Sequence, residues 1–167
     1  LVAMIRATEL RLDTSDGTTH TFIDGQDVSD RIRGEEVSRQ VHQLAGKPRC
    51  RELVVQMQRR FAADGGVVAE GRDMGTVVFP DAELKVFLVA DPRERARRRV
   101  EQLAAAGERA DFEAVLRDIQ MRDRRDSERE VSPLRKAPDA ITVDTTENTA
   151  EQTLQQLMEV ARKRLHL

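Results

Sequence analysis

The sequence predicts an α/β fold in which short buried strands alternate with amphipathic helices. Three apolar runs are typical of strands buried on both faces of a parallel sheet: Val67–Ala69, Val86–Ala90 and Ala140–Val143. Helical patterns lie between these runs and after the last one, and such alternation favours a parallel sheet with flanking helices. We therefore expect the three runs to pair in one sheet.

A smaller lobe, made of an antiparallel sheet and helices, is predicted before this core. Alternating apolar and polar residues over Ile5–Val28, interrupted by turn signals, are typical of a β-meander. Two helices should follow, one over residues 37–46 and one beginning at Pro48. The breaker Asp64-Gly65-Gly66 marks a boundary, so we predict a lobe over residues 1–64 and a core over residues 65–167.

Helix starts in the core carry clear capping signals. Asp91-Pro92-Arg93-Glu94 is a capping box with proline at the first helical position. Asp111 should cap a second helix that reaches roughly to Arg129. Thr145 or Thr146 should begin the last amphipathic helix.

Composition narrows the possible classes of function. The 28 basic and 30 acidic residues give a net charge of −2, so nothing in that total favours nucleic acid or an anionic membrane as a partner. Cys50 is the single cysteine, which fits a reducing, cytoplasmic compartment. No apolar run approaches the roughly 20 residues that span a bilayer. We expect a monomer that acts on small molecules.

The helix after Asp111 carries the first candidate site. At about 100° per residue, Arg122, Asp126 and Arg129 continue the apolar stripe that faces the core. Unpaired burial of such charges is costly, so they either pair with one another or face a charged ligand. A phosphate with a hydroxylated sugar would satisfy all three. A solvated face with ion pairs along the helix is the alternative.

The second candidate is the segment Glu70–Gly75, which follows a predicted strand. Ligands of open α/β sheets bind beyond the carboxyl ends of strands, and Gly71 and Gly75 allow unusual backbone angles and close approach. Arg72 could bind phosphate and Asp73 could accept from an amino group. A tight turn with a structural ion pair is the alternative.

Other candidates lie elsewhere along the chain. Arg51 sits beside an apolar stripe and could reach a cleft, although surface arginines are commoner. His42 is more typical of a half-buried helix residue than of a ligand. The run Arg97–Arg99 is a weak nucleic-acid signal because the chain has no Trp or Tyr. Metal-ligand spacings of Cys and His are absent.

Together these segments resemble the bacterial cytidylate kinases. The string Glu70-Gly-Arg-Asp-Met-Gly-Thr-Val-Val-Phe-Pro80-Asp81 is similar to that family's most recognisable segment. Further segments match in order over nearly the whole chain: Asp27-Val28-Ser29, Pro48-Arg-x-Arg51, Glu94-Arg-Ala-x-Arg-Arg99, Arg122-Asp-x-x-Asp126-x-x-Arg129, Ser132-Pro-Leu134, and Val143-Asp144-Thr145.

The resemblance implies a P-loop nucleoside-monophosphate kinase fold with an inserted CMP-binding lobe and a lid at about residues 98–122. It implies ATP-dependent phosphorylation of CMP or dCMP to the diphosphate, with Mg²⁺. By that resemblance, Arg51 and Asp73 would read the cytosine ring. Arg72, Arg122 and Arg129 would hold the CMP phosphate, and Asp126 would bind the ribose hydroxyls. The three phosphate-holding arginines are also the implied catalytic groups. Arg98 and Arg99 would lie near the lid over ATP.

Two features depart from the family pattern. The 167 residues contain no glycine-rich P-loop with its lysine, the element that cradles the ATP phosphates. The chain begins at Leu1 and not at Met, so we expect an upstream segment, and expect the chain alone to be inactive. His42 stands where the family usually has a serine that reads cytosine. A fragment that binds a pyrimidine monophosphate without phosphoryl transfer is therefore the alternative function.

Overall fold

The computed structural model describes residues 1–34, 37, 40, 47–63 and 65–166. It divides into two compact units, Leu1–Glu70 and Gly71–Leu167. None of the helices in the described ranges is both long and apolar enough to cross a bilayer. Each unit is treated separately below.

The first unit opens with a short helix and a three-stranded antiparallel sheet. Helix α1 covers Val2–Ala7, and the strands are β1 (Leu10–Asp13), β2 (His20–Ile23) and β3 (Gln26–Asp27), in the order β1-β2-β3. Leu10 pairs with Ile23, and Phe22 with Asp27. The predicted meander is therefore present, but Ile5 belongs to α1 and not to the sheet.

A longer helix completes the first unit. Helix α2 spans Pro48–Phe61 and begins with proline in its first turn, as the sequence predicts. It buries Cys50 and Val55, and it packs against α1. The helix predicted before it falls mostly outside the described residues.

The second unit is built on two parallel strands. Strand β4 (Val86–Val89) pairs with β5 (Ile141–Asp144), with Val86 opposite Ile141. Val67–Ala69, the third predicted strand, is not a strand, and that prediction is wrong. Val68 is fully exposed. An apolar extended segment becomes a sheet strand only where a neighbouring strand pairs with its backbone groups.

Three helices accompany this sheet in the second unit, and the first two of them contact each other. Helix α3 covers Pro92–Ala105, α4 covers Phe112–Glu128 and α5 covers Ala150–Leu165. The Asp91 carboxylate accepts from the amides of Arg93 and Glu94, and Asp111 accepts from Ala114, so both predicted N-caps are confirmed. The reciprocal half of the predicted capping box is not formed, because the Glu94 carboxylate binds Arg97 and Arg98 and the Asp91 amide donates to Thr146.

The start of α5 was predicted wrongly. The observed N-cap is Thr149, which forms a reciprocal capping box with Gln152. Thr145 and Thr146 instead follow the strand: the Thr145 amide donates to Val89, and the Asp144 carboxylate accepts from Thr146. These contacts delay the helix by about one turn.

A single π-helical turn, Met74–Val78, joins the start of the second unit to its sheet. The Asp73 carbonyl accepts from the amides of Val77 and Val78. Neither Gly71 nor Gly75 has a positive φ, contrary to the unusual angles we expected. A Cβ on Gly75 would lie 3.3 Å from the Lys85 side chain, so close packing and not a left-handed backbone favours glycine there.

Candidate functional site

An aspartate lies between two arginines in the second unit. Arg72 Nε is 3.0 Å from Asp126 Oδ2, and Arg129 Nη1 is 3.9 Å from Asp126 Oδ1. The Asp126 side chain is only 17% exposed. The structure thus brings Arg72, Asp126 and Arg129 together, without the Arg122 that the sequence analysis grouped with Asp126 and Arg129. We call these three residues the arginine–aspartate cluster.

Local structure fixes each member of the cluster. Arg72 directly precedes Asp73, whose carbonyl anchors the π-helical turn. Asp126 lies in the last turn of α4, where its own carbonyl accepts from the Leu134 amide at 2.7 Å. Arg129 is the C-cap residue of the same helix, with an extended backbone. The chain after α4 therefore turns back to the last turn of the helix, where the Leu134 amide meets the Asp126 backbone.

Two buried atoms of the cluster lack hydrogen bonds. Among the described residues, Asp126 Oδ2 and Arg129 Nε have no hydrogen-bond partner, so the Arg72 contact is a close ion pair without a well-directed bond. A buried polar atom left unsatisfied costs about 1–3 kcal/mol. One of these atoms accepts and the other donates, which suits a ligand that carries both hydroxyl and oxyanion groups.

Arg122 lies on the same helix but is exposed to solvent. Its neighbour Asp123 binds Arg95 of α3 through both carboxylate oxygens, at 3.1 and 2.5 Å. Arg95 hydrogen bonds lower the pKa of Asp123, and the charges of Arg72 and Arg122 contribute further.

Asp73 is almost completely buried, at 4% exposure. Its backbone shapes the π-helical turn, so the residue has a structural role in addition to any role in recognition. The part assigned to its carboxylate in reading a base stays a prediction.

The base-reading candidates of the first unit are described within that unit alone. Arg51 is half-buried in the first turn of α2. His42 lies outside the described residues.

The arginine run of α3 is engaged with its own surroundings. Arg97 pairs with Glu94 and Glu101, and Arg99 donates to Gln102. The Arg97 and Arg98 contacts hold the pKa of Glu94 at about 2. Arg98 also donates to the carbonyls of residues 145, 146 and 148 after β5. This arginine therefore ties α3 to that loop, and the ATP-side role of Arg98 and Arg99 stays a prediction.

The Arg95–Asp123 pair is the feature that the sequence analysis missed. Its two residues belong to different helices, so their pairing has no fixed spacing in the chain. The available signal was the position of Asp123 beside Arg122, which put an extra carboxylate next to the predicted cationic face. In the described part of the chain, no three or more His, Cys, Asp or Glu side chains gather as metal ligands do.

The parallel strands and their helices define an α/β protein, in which the arginine–aspartate cluster joins two arginines to one aspartate. A family model described as cytidylate kinase matches residues 1–163. Cytidylate kinase of Geobacillus kaustophilus is 46% identical over 165 residues, which are 99% of this chain and 74% of the relative. The chain therefore belongs to the cytidylate kinase family.

Other relatives have the same name and span different bacteria. Cytidylate kinase of Azotobacter vinelandii is 51% identical over 137 residues, 82% of this chain and 60% of the relative. The Salmonella arizonae protein is 42% identical over 167 residues, all of this chain and 74% of the relative.

Proposed function

We propose that the chain is a nucleoside-monophosphate kinase that transfers a phosphoryl group from ATP to CMP or dCMP, giving CDP or dCDP and ADP. The observation that carries the proposal is the arginine–aspartate cluster, whose Asp126 Oδ2 and Arg129 Nε are buried without hydrogen bonds. A ribose hydroxyl can donate to the first atom and a phosphate oxygen can accept from the second. The family supplies the identity of the nucleotide.

In this proposal the arginines bind the substrate phosphate. Arg72, Arg129 and Arg122 present planar donor groups that suit phosphate oxygens. Ligand binding would draw Arg72 from Asp126 toward the phosphate and leave the carboxylate for the ribose. By the family resemblance, Arg51 and Asp73 would read the cytosine ring, and His42 would take the place of the family's cytosine-reading serine.

The chemical step needs little covalent help from the protein. An oxygen of the CMP phosphate attacks the γ-phosphorus of ATP, the bond to the β,γ-bridging oxygen breaks, and ADP leaves. Such reactions depend on positioning and on charge neutralisation. The cluster arginines would hold the attacking phosphate oxygen in line with the γ-phosphorus. They would also offset the negative charge shared between this oxygen and the γ-phosphoryl group of ATP. Mg²⁺ bound to the ATP phosphates would neutralise charge on the donor side.

A reducing compartment such as the cytosol suits the proposal. Cys50 is the chain's one cysteine and is buried as a free thiol in α2. The proposed substrates are small molecules, and we propose that the chain acts as a monomer.

Nucleotide selectivity tests the proposal. We expect CMP and dCMP to bind in calorimetry more tightly than AMP and GMP. In a variant extended upstream by the family's glycine-rich P-loop segment, which these 167 residues lack, both should be converted with ATP to equal amounts of diphosphate and ADP. Chromatographic quantification of all four nucleotides checks the balance. Binding of purine monophosphates as tightly as CMP would contradict the proposed substrate class. CMP binding without transfer would favour the alternative of a binding fragment.

A further inference from the structure

Lys85 carries a charge that the proposed mechanism does not use, although its side chain is only 8% exposed. The residue directly precedes β4. Its ammonium group donates to the Asp139 carboxylate at 2.7 Å and to the Pro80 carbonyl. Burial of an ammonium group costs several kcal/mol unless such partners compensate for the lost water. The two bonds therefore hold Lys85 between the segment that leads into β4 and the turn before β5.

The aliphatic stem of Lys85 lies against the π-helical turn Met74–Val78. A Cβ on Gly75 would lie 3.3 Å from Lys85 Cδ and 3.7 Å from the Cβ of Ala137, which is buried. One side of the turn therefore rests on the Lys85 stem and on Ala137, with only the room that a glycine leaves. Single π-helical turns are frequent at functional sites.

The same turn sets the point from which the Arg72 side chain leaves the backbone. The Asp73 carbonyl accepts from the amides of Val77 and Val78, at 2.8 and 3.2 Å. Arg72 is one peptide bond before Asp73, and its Nε lies 3.0 Å from Asp126 Oδ2. A π-helical turn holds one residue more than an α-helical turn. A change from one to the other would therefore rotate the start of the turn and move Arg72.

We propose that Lys85 is a positioning residue, which holds the π-helical turn in place and thereby directs Arg72 toward the substrate phosphate. The inference rests on the proposed function, in which Arg72 binds that phosphate. Lys85 acts through its packing on Gly75 and through its two hydrogen bonds, and it does not contact the substrate. A backbone that is fixed before the ligand arrives reduces the ordering that binding would otherwise require.

A salt bridge that only stabilises the fold is the competing explanation. Its removal would lower the free energy of unfolding, but the protein that stays folded would bind CMP as tightly as the wild type. Removal of a positioning residue would also weaken CMP binding by the folded protein, and only while the Arg72 side chain is present. The dependence on Arg72 therefore separates the two explanations.

The test is a double-mutant cycle between Lys85 and Arg72. Calorimetry measures CMP affinity at a temperature at which thermal melts show each variant to be folded. Lys85→Met keeps an unbranched stem and removes the ammonium group. We expect it to weaken CMP binding on the order of tenfold when Arg72 is present, as misplaced binding groups do, but less than about twofold in the Arg72→Ala background. An equal loss in both backgrounds, or no loss in either, would overturn the proposal.

Arg164→Met is the matched control. Arg164 Nε, on α5, donates to the Glu83 carbonyl at 3.4 Å, so this variant also removes a cation that binds the backbone shortly before β4. The atoms nearest to a Cβ on Gly75 belong instead to Lys85 and Ala137. We expect Arg164→Met to bind CMP as the wild type does. A loss as large as that of Lys85→Met would mean that the effect is not specific to the contact with the turn, and would contradict the proposal.

Gly75→Ala perturbs the same contact from the other side, and it carries the test if Lys85→Met does not fold. Its added methyl group must displace the Lys85 stem or the turn, because the two are already in contact. We expect a loss of CMP affinity that again disappears in the Arg72→Ala background. Unchanged affinity in folded Gly75→Ala would overturn the proposal. A wild type that binds CMP no more tightly than Arg72→Ala would instead overturn the proposed function, so the two failures are distinguishable.

Discussion

At the scale of single residues, Asp126 has two roles that compete. In the free protein its carboxylate offsets the charges of Arg72 and Arg129, at 3.0 and 3.9 Å. In the proposed complex it accepts from ribose while the arginines bind phosphate. In this account the Asp126 carboxylate is an internal counter-ion of the two arginines, and a phosphate or sulfate ion can take its place.

Substitution of Asp126 by Asn should expose this counter-ion role. We expect the free energy of unfolding to fall by about 1–3 kcal/mol, because the arginines lose their charged partner. Millimolar sulfate should then raise the melting temperature of the variant more than that of the wild type, since the oxyanion replaces the carboxylate. Thermal melts in sodium sulfate and in sodium chloride of equal ionic strength measure the difference.

Glu128→Gln is the control for this experiment, because Glu128 is exposed on the same helix and its loss reports only the general effect of sulfate on folding. An equal sulfate effect on wild type and Asp126→Asn would argue against an anion site at the cluster.

The residue-level site could be predicted only in part. Helical spacing brought Asp126 and Arg129 together because the period of an α-helix is fixed. The same period could not place Arg122, which the structure leaves exposed. It also could not find Arg95 beside Asp123, because contacts between two helices depend on how the helices pack.

At the scale of elements, capping chemistry and strand patterns each predicted most of the core but not all of it. Asp91 and Asp111 cap their helices as expected because the capping bond lies within a few residues of sequence. Val67–Ala69 resembled a buried strand by composition alone, yet pairing requires a partner that composition does not reveal. Thr149, and not Thr145 or Thr146, is the N-cap of α5 because Gln152 completes its capping box.

The β1–β2 hairpin should be sensitive to pH through His20. Hydrogen bonding to Asp16, assisted by Asp27 on β3, raises the pKa of this histidine. In the antiparallel pairing of the two strands, Asp13 of β1 lies opposite His20 of β2. The stabilisation of the folded state by the charged His20 is therefore complete below the pKa of histidine in the unfolded chain, about 6.5. It is lost as the pH rises through the higher pKa of His20 in the folded protein.

Urea unfolding between pH 5.5 and 8.5 should show this loss when wild type is compared with His20→Gln. We expect the difference in unfolding free energy to shrink as the pH rises, because only the wild type carries the titrating group. A difference that stays constant over the range would mean that the contacts of His20 with Asp16 and Asp27 do not depend on its charge.

At the scale of the whole molecule, the sequence predicted an α/β core but not the extent of its sheet. The parallel pair β4–β5 is present, and the division of the described chain falls after Glu70. Family membership adds what periodicity cannot supply, because the nucleotide a site accepts depends on side chains that come from distant segments. The roles proposed for Arg51 and Arg72 are an example, since nothing in the local sequence patterns of these two residues relates one to the other.

Calorimetry of CMP and cytidine on the wild type and on Arg129→Ala tests the central claim, that the cluster binds the phosphate of a pyrimidine nucleotide. We predict that Arg129→Ala weakens CMP binding by about 1.5–3 kcal/mol, the usual range for a charge-assisted hydrogen bond, and changes cytidine binding much less. Arg124→Ala is the control, because Arg124 is exposed and lies roughly opposite Asp126 around α4. Equal losses for CMP and cytidine, or no loss of CMP binding, would contradict the account.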